Sequence, residues 1–210
     1  MGHLHCRTGA YPARRRVYNS GVRTLLFLAI FAAALPAQTA RVVLETELGS
    51  IEVQLDLKNA PVTSANFLKY VDAGAYDGGV FHRTVRLDNQ PRNRIRIEVI
   101  QGGIQPGRRG PDADPIPLER TNKSGLKHVD GTISMARDRP DTATSDFFVC
   151  IGDQPALDFG GMRNPDGQGF AAFGRVVSGM DVVRKIQQAP AEGQTLKPPV
   201  KILRVRRAAP

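Results

Sequence analysis

Short runs of alternating apolar and polar residues, each closed off by glycine, proline or aspartate, constrain this chain more than any other feature. Val42, Leu44, Thr46 and Leu48 alternate with polar neighbours, and Ile51, Val53, Leu55 and Leu57 do so again. A period of two puts every apolar residue on one face of a half-buried strand. Gly49-Ser50 lies between the two runs and suits a two-residue type II′ turn, so the segment predicts a β-hairpin. Further strand patterns occupy Val80–Val85, Ile95–Gln101, Gly131–Ala136, Asp146–Ile151, Phe170–Val176 and Val200–Val205. Only two segments have helical spacing. One begins at Pro61 and stops at Gly74, with Val62, Ala65, Leu68 and Val71 on one face and Phe67 widening it. The other is Asp181–Gln188. Loops rich in Gly, Pro, Asp and Asn fill 102–117 and 160–169. Many short strands, two helices and no strand–helix–strand rhythm predict a mainly all-β fold, a closed barrel capped by helices.

The overall charge of +9 is unevenly placed. Residues 1–37 hold five of the 29 basic residues and none of the 20 acidic ones, leaving 24 basic against 20 acidic residues, a net of +4, in the rest. A nucleic-acid-binding domain would keep its excess in the folded part, so no nucleic-acid partner is expected. The early arginines lead into Thr24–Leu35 (TLLFLAIFAAAL) and then Pro36-Ala37-Gln38. An apolar run this short suits a signal sequence better than a membrane span, which takes about 20 residues. Residues 1–37 are therefore expected to be a signal peptide, leaving 38–210 as one domain in the periplasm or secreted. The alternative is a tether through an uncleaved apolar segment. The only cysteines are Cys6 and Cys150. If Cys6 leaves with the leader, Cys150 has no partner, and its apolar setting in Phe147–Ile151 predicts packing rather than reactivity.

Three segments look site-like from their residues alone. Phe81-His82-Arg83 sets an arginine in an apolar strand, where it needs a polar partner. Gln101-Gly102-Gly103 puts an amide before glycines that permit close backbone approach. Ser134–Arg137 and Ser145–Phe148 offer small and aromatic residues for an apolar pocket.

These segments, with GSIEV at 49–53, APVTSANFL at 60–68, Tyr76-Asp77-Gly78, GLKH at 125–128, GTISMAR at 131–137, Ala143-Thr144-Ser145 and FGRVV at 173–177, resemble the bacterial members of the cyclophilin family of peptidyl-prolyl cis-trans isomerases. The likeness covers nearly all of residues 38–210. It implies an eight-stranded antiparallel barrel capped by two helices, no metal and no cofactor. It further implies action on proline-containing polypeptides; a monomer is expected, with no membrane attachment after signal cleavage. By resemblance, Arg83 is the catalytic arginine and Gln101 the glutamine that holds it and the substrate backbone. Val99, Phe148 and Leu157 line the proline seat, Ala136 shapes the adjoining groove, and Phe81, Asp146 and Phe170 complete the substrate-binding set. His82 points away from substrate in the family pattern and reads as structural.

The chain also departs from the family. About ten extra residues separate Arg83 from Gln101, an insert near 86–97 rich in arginine that reads as an extended hairpin beside the site. Counting back from Gln101 puts Glu98 where the family has a pocket phenylalanine, so either Glu98 pairs with an arginine or a shifted register brings Ile97 to the seat. Asp146 replaces a substrate-binding glutamine, with an ion pair to Arg83 as one consequence. Ala156 replaces an aromatic, which implies weak cyclosporin binding, and Phe170 replaces a histidine or tyrosine. A second insertion, Gly160–Gly169, matches no calcium-loop spacing.

Three rival readings remain: a cyclophilin-fold binding module or chaperone with little turnover, nucleic-acid binding through the insert, and a hydrolase triad drawn from His82, a serine and an aspartate. Arg83 and Gln101 favour the enzyme over the binder.

Overall fold

The computed structural model describes residues 1–3, 38–108, 110–111 and 114–208. The chain divides into two units, Met1–Leu35 and Pro36–Pro210, and the fold described is that of the second. The expected signal peptide, apart from Met1–His3, lies outside the described residues, as does Cys6.

Among the described residues, nine strands form one antiparallel sheet: β1 Thr39–Thr46, β2 Gly49–Asp56, β3 Val80–Val85, β4 Val99–Gly103, β5 Thr132–Met135, β6 Phe147–Cys150, β7 Ala171–Ser178, β8 Ala191–Glu192 and β9 Thr195–Arg207. Their order is β1-β2-β7-β5-β6-β4-β3-β9-β8, and β1 also pairs with β9. That last pairing closes eight strands into a barrel and leaves β8 as a two-residue hairpin arm of β9. Closure removes the open edges that an eight-stranded sheet would otherwise expose. Two helices pack on the barrel, α1 Pro61–Asp72 and α3 Met180–Gln187, with a single turn, α2 Thr121–Ser124, between them in sequence.

Alternation sorts the side chains. Phe67, Phe81, Ile100, Ile133, Met135, Phe147, Val149 and Phe173 belong to the main core. Its centre is aromatic: Phe147 meets Phe67, Tyr76 and Phe81 edge-on at centroid distances of 5.5, 5.5 and 5.8 Å. Such edge-to-face pairs add to what area burial alone contributes.

Three local expectations need correction. The hairpin turn is Glu47-Leu48, since Thr46 pairs with Gly49. The Thr46 hydroxyl fixes that turn by donating to the Gly49 carbonyl (2.7 Å) and accepting from the Leu48 N–H (3.1 Å). Helix α1 buries a face rotated from the expected one. Val62 is exposed, while Thr63, Ser64, Asn66, Phe67, Leu68, Tyr70 and Val71 are buried. Its polar members are satisfied: the Glu119 carboxylate accepts from the Val62 and Thr63 N–H groups (3.1 and 2.8 Å), and Asn66 Nδ2 donates to the Thr144 carbonyl (2.7 Å). Finally, the strand expected from Ile95 begins only at Val99, and the insert is a loop of turns rather than an extended hairpin. Buried Gln90 explains why. Its amide donates to the carbonyls of Arg86 and Ile97 (both 2.7 Å) and accepts from the Ile97 N–H (3.3 Å), taking up backbone groups that a strand ladder would use.

Candidate active site

A second apolar cluster lies apart from the main core. Val85, Ile97, Val99, Phe148, Cys150 and Leu157 are buried together, with Ala136, Ala156 and Phe170 packed around them. On β4, Val99 and Gln101 share one face while Ile100 belongs to the main core, and on β6 Phe148 and Cys150 alternate with Phe147 and Val149 in the same way. This cluster floors a cavity of ≈ 330 Å³, which Arg83, Gln101, Asp146 and Phe170 also line. That volume suits a short stretch of peptide, ligand sites being about 300–1,000 Å³. Burial pushes the Cys150 thiol far above its usual pKa, so it packs here as a small apolar group.

Arg83 reaches the cavity because of a β-bulge. Phe81 pairs with Gly102 and Arg83 with Gln101, which leaves His82 as the extra residue. In a regular strand, positions 81 and 83 would share a face; the bulge turns Arg83 to the opposite one. Phe81 is thus fully buried in the barrel core and does not line the cavity, which corrects its place in the expected substrate-binding set. His82 stays half-exposed, its Nε2 3.7 Å from Asp146 Oδ2, and does not line the cavity either.

Three N–H groups of Arg83 are held by two amides. Nη1 donates to Gln101 Oε1 at 3.0 Å, while Nε and Nη2 donate to Gln194 Oε1 at 3.0 and 2.7 Å. The insert braces this arrangement. Gln194 Nε2 donates to the Asn89 carbonyl (3.3 Å), and Asn89 Nδ2 donates to the carbonyls of Thr84 and Gly193 (both 3.0 Å). Burial pulls the guanidinium below its usual pKa, but from so high a value that it stays protonated. Among the described residues no carboxylate ion-pairs with Arg83. Gln101 Nε2 donates instead to Asp146 Oδ2 at 3.4 Å, and Gly103 makes room for that carboxylate: a Cβ there would sit 2.1 Å from Asp146 Oδ1.

The register question at β4 is also answered. Ile97 is buried and lines the cavity, whereas Glu98 is half-buried outside it, with Oε1 accepting from Gln187 Nε2 at 3.2 Å.

Beneath Phe148 lies a group that sequence reasoning missed. The His128 ring stacks on Phe148 (6.0 Å, 15°), its Nδ1 faces Asp158 Oδ1 at 2.8 Å and its Nε2 faces Ser134 Oγ at 3.0 Å. An ionised carboxylate only accepts, so Nδ1 carries a proton; in the neutral ring the Ser134 hydroxyl donates to Nε2, and in the charged ring it accepts. The order serine–histidine–aspartate is that of a hydrolase triad, but Ser134 is fully buried and His128 nearly so, and neither lines the cavity. Its role here is to tie β5, β6 and the turn after Leu157 under the apolar floor.

Arg137 was likewise missed as a partner of Phe170. It lies over the ring at 4.9 Å and donates from Nη1 and Nη2 to the Asp166 carboxylate (2.7 and 3.0 Å) and from Nε to the Gly169 carbonyl (2.8 Å), folding the 160–169 loop against the cavity. Gln194 has no local sequence signal, and Arg137, though it closes the site-like segment from Ser134, has none for its contact with Phe170. Each is an ordinary polar residue made important by a contact distant in the chain.

The family model for cyclophilin type peptidyl-prolyl cis-trans isomerases matches residues 41–207. Peptidyl-prolyl cis-trans isomerase A of Dickeya dadantii is 39% identical over 175 residues, covering 82% of this chain and 85% of its own. Peptidyl-prolyl cis-trans isomerase B of Escherichia coli is 36% identical over 147 residues, covering 70% and 83%. A crystal structure of a cyclophilin type isomerase from Cryptosporidium parvum matches with a TM-score of 0.67 at 20% identity, covering 82% of this chain and 99% of that one. The same protein crystallised in the presence of the dipeptide Ala-Pro matches with a TM-score of 0.66.

Proposed function

The chain belongs to the cyclophilin-type peptidyl-prolyl cis-trans isomerase family and is a peptidyl-prolyl isomerase, and from that premise we propose that Arg83 is its catalytic residue, acting on prolines seated against Phe148, Val99, Leu157 and Ile97.

The chemistry asks for little. Resonance gives the X-Pro bond a barrier of about 18–20 kcal/mol, and uncatalysed exchange takes tens to hundreds of seconds or so. No covalent bond is made or broken, so neither nucleophile nor proton donor is needed. What must be stabilised is a twisted amide in which the prolyl nitrogen has regained its lone pair. A guanidinium N–H aimed at that nitrogen binds the twisted state and not the planar ones, and so lowers the barrier. Each tenfold acceleration needs about 1.4 kcal/mol.

The observation that carries this reading is Arg83 itself, a cation at the wall of a cavity with an apolar floor, oriented by the neutral oxygens of Gln101 and Gln194. A carboxylate partner would quench its charge; amides fix its direction and leave the charge available. Gln101 and Asp146 also border the cavity, where we assign them to the peptide backbone, with Ala136 and Phe170 at the groove.

We further assign the work to exported or envelope proteins, in the periplasm or after secretion. Support comes from the basic stretch before Thr24–Leu35 and the small residues that follow it. Magnetisation exchange between the cis and trans signals of an Ala-Pro peptide, at substoichiometric protein, tests the first assignment. Exchange accelerated well above the uncatalysed rate is expected, and binding without acceleration would leave the proline-binding module instead. Cell fractionation with mass measurement of the N-terminus tests the second, and full-length protein in the cytoplasm would refute it.

A further inference from the structure

The two segments that lengthen this chain relative to its family meet at the rim of the cavity. Arg163, from the 160–169 loop, donates from Nη1 to the Ile95 carbonyl of the other insert at 2.6 Å, and its backbone N–H donates to the Ala156 carbonyl at 3.1 Å. Its side chain lines the same cavity as Arg83 and Ile97. The insert it fastens exposes Arg92, Arg94 and Arg96. Among the described residues, none of these four arginines is in an ion pair. Arg137, the other arginine of the cavity, is neutralised by Asp166.

A charge distribution follows. Asp138 and Asp146, the carboxylates that line the cavity, lie in the same two chain segments as Ala136 and Phe148, and Asp146 is turned to Gln101 and His82. Of the residues that the two inserts give to the cavity, Ile97 and Arg163, the one charge is the Arg163 cation, while the acids of the inserts, Asp88 and Asp166, are taken up by Arg86 and Arg137. Burial first, and then the nearby Arg83 charge, pulls the Arg163 guanidinium below its usual pKa, the mark of two like charges facing one partly desolvated space. An anion entering that space would relieve both the repulsion and the burial cost.

We propose that this rim selects X-Pro segments with an acidic side chain beside the proline, Arg163 meeting the carboxylate and Arg92, Arg94 and Arg96 extending the preference along the peptide. The inference rests on the isomerase reading of the cavity and adds a substrate class to it.

The test uses N-acetylated, C-amidated peptides, so that no terminal carboxylate competes, differing only in Glu, Gln or Lys placed before or after proline. One Glu peptide is expected to exceed its Gln counterpart in kcat/KM by roughly three- to tenfold at low ionic strength, with Lys poorer than both. The advantage should shrink with salt, vanish in Arg163→Gln and survive in Arg163→Lys. The triple variant Arg92→Gln/Arg94→Gln/Arg96→Gln, altered only at exposed positions, should lose part of the salt dependence and serves if Arg163→Gln does not fold. Equal turnover of Glu and Gln peptides, or an advantage kept in Arg163→Gln, would overturn the proposal and leave the isomerase intact. Turnover of no peptide at all would overturn both. Inhibition by duplex DNA at concentrations below those at which the Glu peptide saturates would give the arginines to nucleic acid and overturn it as well.

Discussion

Gln194 grips Arg83 from 111 positions further along the chain, its one side-chain oxygen accepting both Nε and Nη2. Gln101 holds only Nη1. The direction of the guanidinium is therefore set more by the β8–β9 turn and the Asn89 insert behind it than by the neighbouring strand.

Replacing Gln194 with leucine removes both hydrogen bonds at once. With the guanidinium no longer held in direction but still present, kcat should fall roughly ten- to hundredfold, a loss of about 1.4–2.8 kcal/mol of transition-state stabilisation. Peptide affinity should change little, because the apolar seat is untouched, while the thermal midpoint should fall, two N–H groups of a largely buried cation being left unpaired. An equal rise in KM would show that Gln194 binds substrate rather than orienting Arg83.

Ile97 and Glu98 should behave oppositely. Ile97→Ala opens the proline seat and is expected to raise KM several-fold, with a stability loss of about 2–5 kcal/mol. Glu98→Gln should leave turnover unchanged within about twofold, since neither Glu98 nor its partner Gln187 lines the cavity. Glu98→Phe should bring no acceleration. A faster Glu98→Phe enzyme would mean that position 98, not 97, fills the pocket.

The floor under Phe148 should show its charge in acid. Burial would raise the Asp158 carboxyl, but the His128 hydrogen bonds and charge, with Lys127 nearby, outweigh it and hold it below its usual value. Its stabilising contribution is therefore complete above the unfolded carboxyl value, about 3.9, and is lost as pH falls through the lower folded value. Denaturant midpoints followed from neutral pH into that range should fall less steeply in Asp158→Asn than in wild type. Parallel acid limbs would remove Asp158 from the account.

Cys150 should be inert in the folded protein. Its thiol is fully buried and its pKa is raised, so a thiol reagent at neutral pH should label it only on unfolding. Rapid labelling of the native protein would contradict the packing of the seat.

Much of this architecture is legible in the chain because alternation is a local property. Val80–Val85 reads directly as β3, and Val99, Phe148 and Leu157 reach the cavity by family position. The failures have a common cause: contacts made at long range. Phe81 and Arg83 are two apart and read as neighbours on one face, until a bulge at His82 separates them. The strand pattern at Ile95 yields to the Gln90 amide, and the buried face of α1 is decided by partners as distant as Glu119 and Thr144. His128 sits in a recognisable motif, yet its two partners lie six and thirty positions away.

Arg83→Ala, assayed side by side for cis–trans exchange and for peptide affinity, bears most directly on the central claim. A fall in kcat/KM of about a hundredfold or more, with the peptide Kd changed by no more than roughly threefold, is the expected result. Exchange retained within about threefold of wild type, or affinity lost in step with rate, would contradict it.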